Sequence, residues 1–187
     1  MEQEKLLRDI ADILKRLQIP YLITGGVAVV VWGRPRFTAD IDIVVELIPQ
    51  KLARLAHALR RIDKDVYLDE EAMQEALEKE GEFNFIHPAS GLKIDFWILT
   101  RSVFDRERMR RRVRRRFVGS DIYLSSPEDL ILIKLLWRKK TESTRQLEDI
   151  ESIMRIQKGL DWRYLKKWAK IHHTETTLNA VWKQIKK

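Results

Sequence analysis

No stretch of this chain limits its architecture as strongly as Gly25-Gly26, thirteen further residues, and then Asp40-Ile41-Asp42. Tyr21-Leu22-Ile23 before the glycines and Ile43-Val44-Val45 after the acids read as strands. Alternate side chains on a strand share a face, so Asp40 and Asp42 point the same way. Two like charges held together are costly unless a cation lies between them. Hard divalent ions such as magnesium prefer oxygen ligands. The pattern therefore points to metal-dependent phosphoryl or nucleotidyl transfer.

The surrounding chain alternates helix and strand. Leu6, Leu7, Ile10, Ile13, Leu14 and Leu17 repeat at helical spacing and predict a helix over 3–17, which Pro20 ends. A strand follows at 21–23, then a buried helix over 27–32 after the glycine turn, a basic loop over 33–38 and a strand over 40–46. Pro49 opens a helix whose apolar face is Leu52, Leu55, Ala56, Leu59 and Ile62. Another helix spans 70–79. Strands at 83–87 and 93–99 flank Pro88-Ala89-Ser90-Gly91, which has the chemistry of a hairpin turn. A helix at 103–112 leads to a smaller hairpin, with strands at 113–118 and 122–124 around Gly119-Ser120-Asp121. Ser126-Pro127-Glu128-Asp129 combines an N-cap serine, a proline at N1 and an acid at N3. Helices follow near 126–139, 144–157, 161–172 and 175–186. The reading is an α/β (α+β) fold: a mixed sheet flanked by helices over 1–125, followed by a helical C-terminal part over 126–187.

Composition narrows the partners. No apolar run approaches the length of a membrane span, and Met1-Glu2-Gln3-Glu4-Lys5 lacks the layout of a signal peptide. Cysteine is absent, which excludes disulfides and thiolate metal sites and fits a cytoplasmic location. The formal net charge of +8 is unevenly spread. Residues 1–105 carry 14 basic against 18 acidic side chains, and residues 106–187 carry 22 against 10. A basic half of this kind suits a nucleoside triphosphate or nucleic acid; solubility is the competing explanation.

Three further features bear on the Asp pair. Asp95 sits in Ile94-Asp95-Phe96-Trp97, a strand otherwise apolar, where an unpaired charge is expensive to bury. It is either a strand-end acid held by a nearby Lys or Arg, or a third carboxylate. Beside Asp40 and Asp42, a third carboxylate would allow two metal ions and accept a proton from an attacking hydroxyl. Gly25-Gly26 lets backbone amides approach phosphate oxygens at the start of a helix; alone it is also an ordinary strand-to-helix turn. Lys134 lies beside an apolar stripe with Leu130 at i−4 and Trp137 at i+3, so it snorkels to water or meets an anion.

Taken together, these motifs resemble the polymerase-β-like nucleotidyltransferase superfamily. Ile23-Thr24-Gly25-Gly26, Asp40-Ile41-Asp42-Ile43 and Ile94-Asp95-Phe96 match its pattern in order. Arg36-Phe37-Thr38, Ser126 through Lys134, and Arg145-Gln146-Leu147-Glu148-Asp149-Ile150 are similar to the AbiEii-type toxin nucleotidyltransferases and related small proteins. The resemblance runs over most of 20–170. It implies a nucleotidyltransferase-like fold that moves a nucleoside monophosphate from an NTP to an acceptor hydroxyl, using Mg2+ (or Mn2+). Asp40, Asp42 and Asp95 are the implied metal-binding and catalytic residues. Gly25, Gly26, Arg36, Thr38, Lys134 and Asp149 are the implied nucleotide-binding ones. The toxin group further implies an RNA 3′ end (tRNA) or a protein as acceptor, and an antitoxin protein as partner. The alternative is a non-catalytic member of the fold that binds nucleotide or RNA.

Other charged residues carry two readings each. Arg145 and Asp149 are i,i+4 and form a local surface ion pair unless Asp149 walls the active site. Arg34 and Arg36 touch phosphate or are solvated loop charges. Arg106 to Arg116 holds eight arginines in eleven positions, either a face for RNA phosphates or a solvated helix leading into an edge strand. Trp162 and Trp168 fit helical spacing and are expected in the core. The four histidines show no ligand spacing.

Overall fold

The computed structural model describes residues 2–117 and 119–186. The chain divides into two compact units: Met1–Val27 with Thr38–Ser125, and Ala28–Phe37 with Ser126–Lys187. The chain passes from the first into the second within a short apolar helix, α2 (Gly25–Trp32).

The first unit holds the sheet. Its strands are β1 (Tyr21–Thr24), β2 (Asp40–Val45), β3 (Tyr67–Leu68), β4 (Glu82–His87), β5 (Leu92–Ile98), β6 (Val113–Phe117) and β7 (Ser120–Leu124). Their order is β3-β4-β5-β2-β1-β7-β6. β2 runs parallel to β5 and β1 parallel to β7, while the remaining neighbours are antiparallel. The observed architecture is the mixed α/β sheet expected from the sequence. Four helices complete the unit: α1 (Glu2–Arg16), α3 (Pro49–Arg60), α4 (Glu70–Lys79) and α5 (Val103–Arg111). Their starts follow their caps. Asp69 accepts the Glu71 and Ala72 amides at 2.9 and 3.1 Å, and Ser102 accepts that of Asp105 at 3.0 Å.

The two faces of the sheet differ in chemistry because side chains alternate. One face is apolar at the centre of the sheet: Ile41 and Ile43 of β2 and Ile94 and Phe96 of β5 are fully buried with Phe83 and Phe85 of β4. Phe83 and Phe96 stand opposite each other and stack with centroids 4.9 Å apart. The other face is split along the strands. At the end away from α2, Leu22, Val44, Trp97 and Leu99 pack around Met109 of α5. At the end where β1 enters α2, the same face becomes polar.

The second unit contains α6 (Pro127–Thr141), α7 (Thr144–Ile156), α8 (Trp162–Ile171) and α9 (Glu175–Ile185). α6 packs on α7 and α8, and α9 on both of those. Ser126 caps α6 as its motif predicts, accepting the Asp129 amide at 3.1 Å, with Pro127 in the first turn. Trp168 is buried as expected. Trp162 is half-buried and meets Trp182 at 4.2 Å between ring centroids. No helix among the described residues is long and apolar enough to cross a membrane.

Three details depart from the sequence reading. β3 is only two residues long, too short to show an alternation, and was not expected. Ser120 and Asp121, expected in a turn, belong to β7 and pair with Phe117 and Arg116. The expected strand 113–118 is β6, and Val118 lies outside the described residues.

Candidate active site

The polar end of the sheet is built from four strands in register. Thr24 of β1 stands opposite Asp42 of β2, Asp42 opposite Asp95 of β5, and Asp95 opposite Asn84 of β4. One step along, Asp40 stands opposite Lys93. Residues at equivalent positions of neighbouring strands share a face. Two of the sequence-predicted acids, far apart in the chain, are thus direct neighbours, and the third lies two residues from them on β2.

The glycine turn closes over this row. Gly25 follows Thr24 directly, opens α2 and has φ +61°, a left-handed conformation that glycine adopts freely. A Cβ there would fall 1.8 Å from Asp42 Oδ2, so the backbone lies against the carboxylate with no space for a side chain. A Cβ on Gly26 would fall 2.4 Å from Thr38 Oγ1. Thr38 donates to the Asp40 carbonyl at 3.2 Å, and its own carbonyl accepts from Gln3 Nε2 at 3.0 Å. Thr38 thus lies against the start of α2 and is held there by bonds to β2 and to Gln3.

Asp40 is exposed, Asp42 half-buried and Asp95 buried. Trp97 Nε1 donates to Asp42 Oδ1 at 3.4 Å. Lys93 Nζ lies 2.9 Å from Asp95 Oδ2. The structure therefore contains the lysine pair that competed with the functional reading of Asp95, although Asp95 sits mid-strand and not at a strand end, together with the neighbouring acids of β2. Asp95 Oδ1 and Thr24 Oγ1 are buried without a hydrogen-bond partner. Glu82, opposite Trp97 on β4, has its carboxyl pushed up by burial and then by the charges of Asp95 and Asp42. Among the described residues no group of three or more His, Cys, Asp or Glu side chains is gathered closely enough to hold a metal ion as it stands. The donors are nevertheless all carboxylate oxygens, and one buried oxygen of Asp95 lacks a partner. That set fits a hard divalent cation.

Arg36, Lys134 and Asp149 come together in the second unit. Arg36 grips Asp149 with two hydrogen bonds, Nε to Oδ1 at 2.8 Å and Nη2 to Oδ2 at 3.0 Å. Lys134 Nζ reaches Asp149 Oδ2 at 2.8 Å and lies 5.1 Å from the Trp137 ring centroid. Lys134 and Asp149 are 2 % and 3 % exposed. The anion that Lys134 meets in the structure is thus Asp149. Burial pulls the Asp149 carboxyl up, yet hydrogen bonds from Arg36 and Lys134 outweigh it and hold the group below the ordinary aspartate range. Arg145, expected to pair with Asp149 along α7, instead donates to the Phe37 carbonyl at 3.2 Å. Two cations from elsewhere in the unit already fill the Asp149 carboxylate.

Sequence reasoning missed Lys93, Trp97, Glu82 and Thr24 as members of the polar face. Lys93 and Trp97 were within reach of the period-2 rule, since they flank Asp95 at i−2 and i+2. Glu82 and Thr24 required the strand order.

No family model matches the chain, and no curated protein sequence does. Solved structures do match its fold. The antibiotic-resistance factor ANT(2'')-Ia, in complex with adenylyl-2''-tobramycin, superposes with a TM-score of 0.63 at 12% identity, over 94% of this chain and 99% of that one. An antigenic nucleotidyltransferase-like protein from Paracoccidioides brasiliensis gives 0.58 at 16% identity, over 97% and 93%. The lincosamide antibiotic adenylyltransferase LnuA, lincomycin-bound, gives 0.57 at 16% identity, over 82% and 97%. The chain has the nucleotidyltransferase fold. At these identities the likeness defines the fold and not the substrate.

Proposed function

We propose that this protein is a metal-dependent nucleotidyltransferase that transfers a nucleoside monophosphate from an NTP to an acceptor hydroxyl. The observation that carries the reading is the row Thr24–Asp42–Asp95, closed by a glycine whose backbone lies against Asp42. Asp40, Asp42 and Asp95 would hold Mg2+ or Mn2+. When bound, such an ion supplies positive charge to the attacking and leaving oxygens. The amides of Gly25 and Gly26, at the N-terminus of α2, face the triphosphate. Thr38 fixes the strand that carries the acids. Arg36, Lys134 and Asp149 of the second unit are the proposed nucleotide-binding set, in which two cations share the buried Asp149 carboxylate.

In the proposed reaction the acceptor oxygen bonds to the α-phosphorus of the NTP. The bond from that phosphorus to the bridging oxygen of the β-phosphate breaks, and pyrophosphate leaves. The hydroxyl proton passes to Asp95, whose Oδ1 carries no hydrogen bond while Oδ2 is held by Lys93. For the acceptor we favour an RNA 3′ end, with tRNA or a protein hydroxyl included, because the basic residues 106–187 suit a polyanion. A toxin role with an antitoxin partner and a cytoplasmic location belong to the same reading through the AbiEii-type motifs.

The test combines the protein, Mg2+, each α-labelled NTP and total RNA. Labelled RNA with pyrophosphate release is expected, and Asp42→Ala should remove both. Unchanged transfer by Asp42→Ala overturns the proposal, as does release of inorganic phosphate in place of pyrophosphate.

A further inference from the structure

The acids of the candidate site do not stand alone on their face of the sheet. Because β2 and β5 pair in parallel register, Asp40 lies opposite Lys93 and Asp42 opposite Asp95. The four side chains form the corners of a quartet, three carboxylates and one ammonium. We propose that Lys93 is a built-in counterion of this quartet, holding Asp95 while no divalent ion is bound and giving it up when one binds. The proposal rests on the metal reading above and adds a residue that sets how readily the metal is taken up.

Lys93 Nζ is bonded to Asp95 Oδ2 at 2.9 Å, while Asp95 Oδ1 is buried and without a hydrogen bond. One oxygen is thus committed to the ammonium, and the other is not engaged by it. Asp40 stands opposite the same lysine across the strand pair.

Lys93 is also able to leave. Its side chain is 41% exposed, so the ammonium can swing into water on its flexible stem. Lys134 and Asp149 provide the contrast: both side chains there are 3% exposed, so the ammonium has no comparable path into water. Half-exposed pairs are individually weak. A dication interacting with several carboxylates at once outcompetes one ammonium, but the ammonium must be displaced, and its charge repels the incoming ion.

Mn2+ binding in the absence of nucleotide tests this, measured by calorimetry and by the electron paramagnetic resonance signal of free Mn2+. Wild type, Lys93→Met, Lys93→Arg and Asp42→Asn are compared, with circular dichroism to verify folding. Lys93→Met should bind Mn2+ roughly three- to tenfold more tightly, the scale expected for losing one weak pair and one like charge. Lys93→Arg keeps the cation and should stay within about twofold of wild type. Equal or weaker binding by Lys93→Met, with binding still lost in Asp42→Asn, overturns the role of Lys93 alone. Failure of wild type and Lys93→Met alike to bind Mn2+, or full binding by Asp42→Asn, overturns the metal reading as well.

Discussion

Gly25 is the residue on which the local geometry of the candidate site depends most directly. Two separate demands converge on it: a φ of +61° and a contact surface with no room for a methyl group beside Asp42. Gly91 meets only the first, with φ +66° and nothing within 4 Å of where its Cβ would be. The two glycines therefore separate strain from displacement. Gly91→Ala should cost about 1 kcal/mol and lower Tm by about 2–4 °C, leaving nucleotide transfer intact. Gly25→Ala carries the same strain and must also push Asp42 aside, so transfer should fall by about 100-fold or more, the scale of an ångström-level misplacement. Calorimetry and the labelled-RNA assay measure both effects. Equal transfer by the two variants would show that the approach of Gly25 to Asp42 has no functional weight. At this scale the sequence is informative about residue type and silent about spacing. It marks Gly25 and Asp42 as notable, but the 1.8 Å that couples them follows from how β1 and β2 pair.

Helical elements of the second unit can be judged through the cluster they bury. Asp149 of α7 accepts from Arg36 and from Lys134 of α6. Removing one partner of a buried ion group costs most when it leaves the others uncompensated. Asp149→Asn removes the negative charge that two cations share and should destabilise by about 3–5 kcal/mol. Lys134→Met leaves the two-point Arg36–Asp149 grip in place and replaces the lysine stem with an apolar one of similar length, so it should cost clearly less. Urea unfolding of both variants gives the order, and equal losses would contradict the shared role of Asp149. The pH dependence follows from the same contacts. The folded pKa of Asp149 lies below its unfolded value, so its stabilisation is complete above roughly pH 5 and declines as the pH falls through the unfolded and then the folded pKa. Asp149→Asn should flatten that acid limb. The elements themselves were largely legible: the helices from periodicity and from caps such as Ser126-Pro127, the two hairpins from their turn residues. The contacts of the Arg36–Lys134–Asp149 cluster were not, because Arg36 lies 113 positions from Asp149 and Lys134 comes from a different helix. Local i,i+4 spacing pointed instead to Arg145, which another acceptor occupies.

Charge is the property best weighed over the molecule as a whole, and its basic excess is most concentrated between Arg101 and Arg116. Lysine is absent from that stretch. Lysine is the usual charge for blunting an exposed sheet edge, whereas arginine forks onto phosphate oxygens. The structure sorts the arginines. Arg108 is buried and bonded to Asp105 at 2.6 Å, Arg110 and Arg114 pair with Glu107 and Asp121, and Arg112 lies over the Tyr123 ring. Arg106, Arg115 and Arg116 remain exposed, at α5 and on the edge strand β6. A groove of about 630 Å3 lined by Arg106, Arg110 and Arg112 also includes Pro20 and Glu46, at the opposite end of β1 and β2 from Thr24 and Asp40. The six residues of β2 span roughly 17 Å, too far for these arginines to contact the same phosphates as the acids. If the acceptor is RNA, they bind its backbone away from the reacting end. Affinity should then fall steeply with salt, and Arg106→Gln, Arg115→Gln and Arg116→Gln combined should reduce the log–log salt slope by roughly two, near 0.7 per single-strand phosphate contact. Fluorescence anisotropy with a labelled single-stranded RNA, without metal or NTP, isolates this from chemistry. An unchanged slope would assign the arginines to edge protection and remove the basic surface as an argument for an RNA acceptor.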